Sequence, residues 1–175
     1  MSHLHHFNFG ININPPLQSS TAVGIQYTPA PLGQIGVNFL IEISTASAYL
    51  ALPSPPERKT ISVMAHLDTG ASTTSIEHNI ASHLGLFSIG RQRISTANGT
   101  STVDSYPVDL AFLNSSLKGF QNFRVSSCQM AHFNLEDCLQ NPNKPKNFGV
   151  LIGRDVMSRW HITWHGPTST VFISD

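Results

Sequence analysis

The sequence carries little charge. Asp, Glu, Lys and Arg make up 11% of its 175 residues, whereas about 25% is usual for globular domains. Ten basic residues balance ten acidic ones, so the formal net charge is zero. A chain without a positive surplus has no electrostatic footprint for nucleic acid or for an anionic membrane surface. We therefore expect no nucleic acid and no membrane as partners, and the low charge favours self-association.

Long hydrophobic runs are also missing. No uncharged apolar stretch approaches the roughly 20 residues that a membrane-spanning helix needs. The opening MSHLHHFNFGININPP has neither the basic nor the apolar region of a signal peptide. These observations predict a cytoplasmic protein. Cysteine is scarce as well, with only Cys128 and Cys138, and in a reducing compartment two free thiols are favoured over a disulfide.

Metal-ligand patterns are equally sparse. His3, His5 and His6 crowd the N-terminal end, but a cluster on a terminal tail is weak support for a metal site. His78 and His83 lie five positions apart, so they do not share a helix face, and the chain has no HExxH pattern. We expect no metal and no cofactor.

The hydrophobic content of 40% indicates one globular domain. Residues 1–33 are rich in Asn, Pro, Gln, Ser and Gly, which predicts an extended N-terminal arm with little structure of its own. Residues 34–175 form the domain, and its fold is predicted to be mainly β. Runs of β-branched and aromatic residues predict strands at 34–43, 61–67, near 120–127, and on both sides of Gly166-Pro167. Between the first two strands, prolines mark a loop.

Two short helices and one hairpin complete the expected pattern. Ile76, Ile80 and Leu84 recur at helical spacing, with Ser75 as the expected N-cap and Gly85 as the left-handed C-terminal residue. A second helix is predicted after the strand in FGVLIGRDVMSRW, with Asp155 as its N-cap. The dipeptide Asn98-Gly99 between polar and β-branched runs is a strong hairpin signal.

The strand segment ISVMAHL delivers a single carboxylate, Asp68, into the small residues Thr-Gly-Ala-Ser. Small residues beside a carboxylate leave room for a water and a substrate, as general acid–base chemistry requires. Taken alone, Asp68 also fits an Asx turn at a strand end. LDTGAS after an apolar strand, the Gly-containing hairpin and VLIGRD before a short helix, in this order, resemble the retropepsin-like (retroviral-type) single-domain aspartic protease family. The likeness is to a cellular or bacterial-type member and spans about residues 34–175.

The resemblance implies a closed β-barrel of the acid-protease fold, with one lobe per subunit and a flap hairpin. It also implies an aspartic endopeptidase in which two carboxylates share a proton and activate water. At about 3 Å and an effective dielectric of about 20, two full charges repel by about 5 kcal/mol, so the pair keeps one proton. The chain has only one Asp-Thr-Gly. A homodimer that brings together Asp68 from each subunit therefore follows.

The family's roles carry over to matching residues. The catalytic turn would be Asp68, Thr69 and Gly70, with Thr69 bonding across the dimer and Gly70 letting the two backbones approach. An extended peptide or protein substrate would contact Ala71 and a flap tip formed by Ala97, Asn98, Gly99 and Thr100.

One position departs from the viral pattern. Ser72 stands where retroviral enzymes often carry an Asp that pairs with the Arg of Gly-Arg-Asp. Arg154 is therefore expected to lack that partner.

A second class of function stays open on the sequence alone. It is a dimeric β-barrel module that keeps the fold and binds peptides while cutting weakly or not at all. The intact Asp68, Thr69 and Gly70 favour the protease.

Overall fold

In this computed structural model the structure describes residues 4–8, 10–12, 27–29 and 36–175, apart from 97–98, 114, 116, 144, 146 and 166–169. The strands are β1 (Leu4–Asn8), β2 (Gly10–Asn12), β3 (Tyr27–Pro29), β4 (Asn38–Thr45), β5 (Thr60–Leu67), β6 (Ser75–Glu77), β7 (Gly90–Thr96), β8 (Gly99–Phe112), β9 (Phe120–Cys128), β10 (Phe148–Ile152), β11 (His161–His165) and β12 (Thr170–Ser174). The helices are α1 (Ser47–Leu50), α2 (His78–Leu84), α3 (Leu135–Gln140) and α4 (Arg154–Met157).

Six strands close into a barrel. The main sheet runs in the order β4-β5-β10-β6-β9-β8-β7, and β4 also pairs with β8. This extra pairing joins the two ends of a six-stranded ring. β7 lies outside the ring, and within the described residues it pairs with β8 alone. Closure removes the exposed strand edges of the ring. The mainly β, closed-barrel fold predicted from the sequence is confirmed.

Alternating side chains build the barrel core. In β5 the residues that face inward are Ile61, Val63, Ala65 and Leu67, all buried, while the residues between them are partly exposed. This is the period of two that a half-buried strand requires. Each fully buried Ile or Val contributes about 1.5–3 kcal/mol relative to its exposed state. The strand that ends at Leu67 is therefore held firmly, and Asp68 is the next residue.

A separate three-stranded sheet joins the two ends of the chain. β1 and β11 both pair antiparallel with β12, in the order β1-β12-β11. β2 and β3 form a two-stranded pair. The N-terminal arm thus contributes three strands, where the sequence predicted little structure. β1 forms because it pairs with backbone groups of β12 that would otherwise be an open edge. The domain boundary at residue 33 stays a prediction.

Helix α2 begins later than the sequence predicts. Ser75 and Ile76 lie in β6, and Ser75 is not the N-cap. The cap is Glu77, whose carboxylate accepts a hydrogen bond from the Asn79 backbone N–H at 2.6 Å. The predicted end is confirmed, since Gly85 has the left-handed φ of 63°, which glycine adopts at little cost.

The predicted hairpin is confirmed as the pair β7 and β8. Thr96 pairs with Gly99, and Gly99 has a φ of 114°. Ala97 and Asn98, two of the predicted flap-tip residues, lie outside the described residues.

Candidate active site

Asp68 lies at the point where β5 leaves the barrel. Its backbone N–H donates to the carbonyl of Ile152 at 3.0 Å, and its own carbonyl accepts from the Ala71 N–H at 3.2 Å. The first bond ties the residue to the end of β10, and the second closes a tight turn over Thr69 and Gly70. The carboxylate is therefore carried by a turn that two strands of the barrel anchor.

Gly70 holds the carboxylate in place. Its backbone N–H donates to Asp68 Oδ1 at 2.8 Å. A Cβ at this position would lie 3.1 Å from the same oxygen, which is tighter than ordinary van der Waals contact. No described residue donates to Asp68 Oδ2. One carboxylate oxygen is thus fixed by the turn, and the other is available to a water.

The segment after β10 braces the turn from behind. The Arg154 backbone N–H donates to the Ala71 carbonyl at 3.0 Å. The Arg154 guanidinium Nη1 donates to the carbonyl of Thr69 at 2.7 Å and to that of Gly70 at 3.2 Å. As predicted, Arg154 has no acidic partner at position 72, which is Ser, but the guanidinium is not left without bonds. Without an Asp at position 72, the guanidinium bonds backbone carbonyls of the turn itself.

Gly153, Thr74 and Asp155 form a second link beneath the turn. The hydroxyl of Thr74, which is fully buried, donates to Asp155 Oδ1 at 2.8 Å and accepts from the Gly153 N–H at 3.1 Å. The Thr74 N–H also donates to the Asp155 carboxylate. A Cβ on Gly153 would lie 2.5 Å from the Thr73 carbonyl carbon. Only glycine allows this approach.

The N-cap prediction for Asp155 is wrong. The residue that caps α4 is Gly153, with no side-chain cap bond, and Asp155 lies in the first turn of the helix. Its carboxylate accepts from Thr74 and from the Val156 N–H at 2.9 Å. The Asp155 carboxylate therefore joins the segment at Thr74 to the start of α4, because both present N–H or O–H donors to it.

A cleft of about 660 Å³ opens beside Asp68. The turn and its continuation line part of it, and β7 lines another part. The lining residues are Asp68, Gly70, Ala71, Ser72, Thr73, Ser75, Gln92, Arg93, Ile94, Ser95, Cys128 and Leu151. The turn and the hairpin are thus brought to one cavity.

The structure places the predicted site residues unevenly around this cleft. Asp68, Gly70 and Ala71 line it, while Thr69 is exposed beside it. Gly99 and Thr100 are exposed on β8 and do not line it. The β7 wall at residues 92–95 was not predicted. The polar and β-branched residues before Asn98-Gly99 predict a hairpin strand here, but only the folded structure shows that this strand lines the same cavity as Asp68.

Burial shifts the pKa values of two ionisable side chains around the site, His66 and Cys128. Burial lowers the pKa of His66, and the negative charge of Asp68 opposes this effect. The imidazole Nδ1 lies 2.8 Å from Asn38 Oδ1, and the ring stacks on Phe148 with centroids 5.3 Å apart. His66 is thus a packed, half-exposed residue.

The thiol of Cys128 belongs to the cleft wall. Burial raises its pKa to about 11, the Glu77 carboxylate adds to the rise, and a hydrogen bond with Ser75 opposes it. Cys128 and Cys138 are both free thiols, as predicted. A thiol with so high a pKa is protonated at neutral pH and is a poor nucleophile.

In the part of the chain that the structure describes, no group of three or more His, Cys, Asp or Glu side chains could hold a metal ion. No helix there combines the length and the apolar character needed to cross a membrane.

A strand-borne Asp-Thr-Gly turn beside a cleft, braced by Gly-Arg-Asp, defines an acid-protease type of site. The sequence profile of a family described as aspartyl protease matches residues 59–156. This is more than half of the chain, and the chain belongs to the aspartyl protease family. The predicted enzyme class, an aspartic endopeptidase, is thereby confirmed.

Other comparisons add little to this assignment. Among solved structures, the chain is similar to a retropepsin-like aspartic protease from Rickettsia conorii, at 11% identity. The match covers 99% of this chain and 94% of that one, with a TM-score of 0.46. No curated protein matches the chain.

Proposed function

We propose that this protein is a homodimeric aspartic endopeptidase in which Asp68 from each of two copies forms the catalytic pair. One observation carries the proposal: the Asp68 carboxylate stands in the cleft with one oxygen fixed by Gly70 and the other without a donor among the described residues. A lone carboxylate lacks the second acid that peptide hydrolysis by water requires. Thr69 and Gly70 are exposed, so the turn is accessible to a second copy.

The reaction follows from two such carboxylates sharing one proton. The ionised Asp68 takes a proton from water while the protonated one gives its proton to the scissile carbonyl oxygen. The water oxygen bonds to the carbonyl carbon and forms a tetrahedral intermediate. Proton transfer to the amide nitrogen then lets the carbon–nitrogen bond break. No covalent enzyme intermediate forms, and Asp68, Thr69 and Gly70 supply the reacting and supporting groups.

The β7–β8 hairpin is proposed as the flap. Its β7 strand lines the cleft that holds Asp68, and it lies outside the barrel ring, where β8 is its one partner among the described strands. A peptide between the turn and this hairpin would lie extended, with Ala71 on one side and the tip residues 97–100 closing over it. Closure would exclude bulk water from the two carboxylates.

Cleavage itself is tested with Asp68→Asn. Asparagine keeps an oxygen that can accept the Gly70 N–H, so the turn should persist while the acid is lost. Purified protein is incubated with denatured proteins across mildly acidic to neutral pH. Asp137→Asn, on α3 away from the cleft, is the matched control and should keep wild-type activity. Cleavage that continues unchanged in Asp68→Asn removes the proposal, and no cleavage by wild type favours the peptide-binding module.

The pairing of two Asp68 side chains is tested by mixing subunits. Wild-type protein at constant concentration is exchanged with a threefold excess of Asp68→Asn. If each active site needs both carboxylates, random pairing reduces the activity to about a quarter. A monomeric enzyme would keep its full activity. Native mass spectrometry of wild type mixed with a mass-tagged Asp68→Asn copy reports whether mixed dimers form. A cytoplasmic location also stays a prediction, which cell fractionation would check.

A further inference from the structure

A second groove continues from the cleft. It has a volume of about 640 Å³ and shares Thr73 and Gln92 with the cleft. Its other walls come from residues 119–124, in and just before β9, and from Asp155 and Arg159, in and just after α4. Its charged side chains are Arg124, Asp155 and Arg159. A peptide that lies extended over Asp68 and leaves along this path meets these walls.

Apart from Asp68 in the cleft and Asp155 in the groove, the charged side chains along this path are arginines. Arg93 lines the cleft, and Arg124 and Arg159 line the groove. Among the described residues the only ion pair joins Arg58 to Asp109 at 3.8 Å. The one acid in the groove, Asp155, already accepts bonds from Thr74 and Val156.

The two groove arginines are held in place. The Arg159 guanidinium carbon lies 5.0 Å from the Phe120 ring centroid and 5.6 Å from that of Phe123. Stacking on aromatic faces leaves the N–H edge of a guanidinium free for a carboxylate. Arg124 donates through Nη2 to the Ser105 hydroxyl at 3.3 Å. Positioned guanidinium groups bind carboxylates better than mobile ones because less side-chain entropy is lost.

We infer that the groove lined by Arg124 and Arg159 selects acidic peptides, with a Glu or Asp side chain placed away from the scissile bond. The inference rests on the proposed function for the position of the peptide. In a symmetric dimer the groove occurs twice, so acidic residues are favoured on both sides of the cut. Apolar residues would still fill the part of the cleft next to Asp68, where Ile94 and Leu151 line it.

The test measures binding, so that it does not depend on cleavage. Labelled peptides with an apolar centre carry Glu at successive positions on either side, and each has a twin with Gln. They are titrated into Asp68→Asn and followed by fluorescence anisotropy. We expect at least one Glu peptide to bind about fivefold more tightly than its twin, the effect of one partly exposed arginine–carboxylate pair. The difference should shrink as NaCl rises from about 0.05 to 0.5 M.

Variants then assign the preference to the groove. Arg124→Gln combined with Arg159→Gln should remove the Glu–Gln difference and leave the binding of the Gln twin unchanged. Arg159→Lys keeps the charge and should retain part of the difference in affinity between the Glu peptide and its Gln twin. Lys59→Gln removes one positive charge from an exposed position outside the groove and is the matched control. Thermal melting confirms that each variant is folded.

Two results would overturn the inference. One is equal affinity for every Glu peptide and its Gln twin. The other is a preference that survives in the double variant, because it would then arise elsewhere. Cleavage of the same peptides by wild type is measured separately. A preference in binding without any cleavage would contradict the proposed protease function while supporting the acidic selectivity of the groove.

Discussion

The Arg154 guanidinium lies 2.7 Å from the carbonyl oxygen of Thr69, and this contact fixes the direction of a neighbouring N–H. The Thr69 carbonyl and the Gly70 N–H belong to one planar peptide group and point in opposite directions. When Arg154 holds the carbonyl, the N–H is aimed at Asp68 Oδ1, which it meets at 2.8 Å. Arg154, which lies 85 positions from Thr69 in the chain, thus orients the Asp68 carboxylate through one peptide plane.

Replacing Arg154 with Met should reduce cleavage more than it reduces stability. The peptide plane between Thr69 and Gly70 would lose its anchor, so we expect kcat/KM to fall by about tenfold or more. The free energy of unfolding should fall by only about 1 kcal/mol, since the guanidinium is exposed. Urea unfolding and peptide hydrolysis measure the two effects, with Lys59→Met as control. Unchanged kcat/KM would show that the bond does not position the acid.

The Thr74 hydroxyl should matter more than its methyl group. Thr74→Val keeps the shape but leaves the buried Gly153 N–H without its partner, which costs about 2 kcal/mol in the free energy of unfolding. Thr74→Ser keeps both bonds and loses one buried methyl, at about 1 kcal/mol. Chemical denaturation of the two variants shows which has the lower free energy of unfolding. A serine variant less stable than the valine variant would contradict the role assigned to the hydroxyl.

Much of the fold and the turn could be predicted because the signals are local. The alternation in β5 identifies a strand that ends at Asp68, and Gly85 has the conformation that its position after the helix predicts. The Asn98-Gly99 signal predicts a hairpin, and the structure has β7 and β8 paired from Thr96 and Gly99 onward. Each of these depends on a few consecutive residues and their intrinsic preferences.

The missed features depend on residues far apart in the chain. Helix α1 was not predicted because distant side chains satisfy its first N–H groups: Asp109 accepts from Ser47 at 3.2 Å, and Asn122 accepts from Ala48 at 2.7 Å. Asp155 was assigned to a local cap, yet its main partner is Thr74, 81 positions away. Sequence patterns do not record such pairings, which arise only when the barrel closes.

His66 should make the fold less stable as the pH falls. Burial lowers its pKa in the folded state, so below about pH 6.5 the unfolded chain binds protons that the folded chain does not. Stability is therefore fully present above that pH and is lost as the pH falls toward the folded pKa. Melting temperatures from about pH 7.5 to about pH 5 should fall more for wild type than for His66→Gln, which can still bond Asn38. Equal falls in melting temperature with pH for the two proteins would contradict this role of His66.

Cys128 should react slowly with alkylating reagents although it lines the cleft. With a pKa of about 11, it has little thiolate at neutral pH, and the thiolate is the reactive form. In Cys138→Ser, which leaves one thiol, we expect iodoacetamide labelling at about pH 8 to be on the order of a hundredfold slower than in the urea-unfolded chain. The rate should rise about tenfold per pH unit up to about pH 10, because each unit multiplies the thiolate fraction by ten. A plateau near pH 8.5 would show an unshifted thiol. Complete labelling should also abolish cleavage, since the added group would occupy the space beside Asp68.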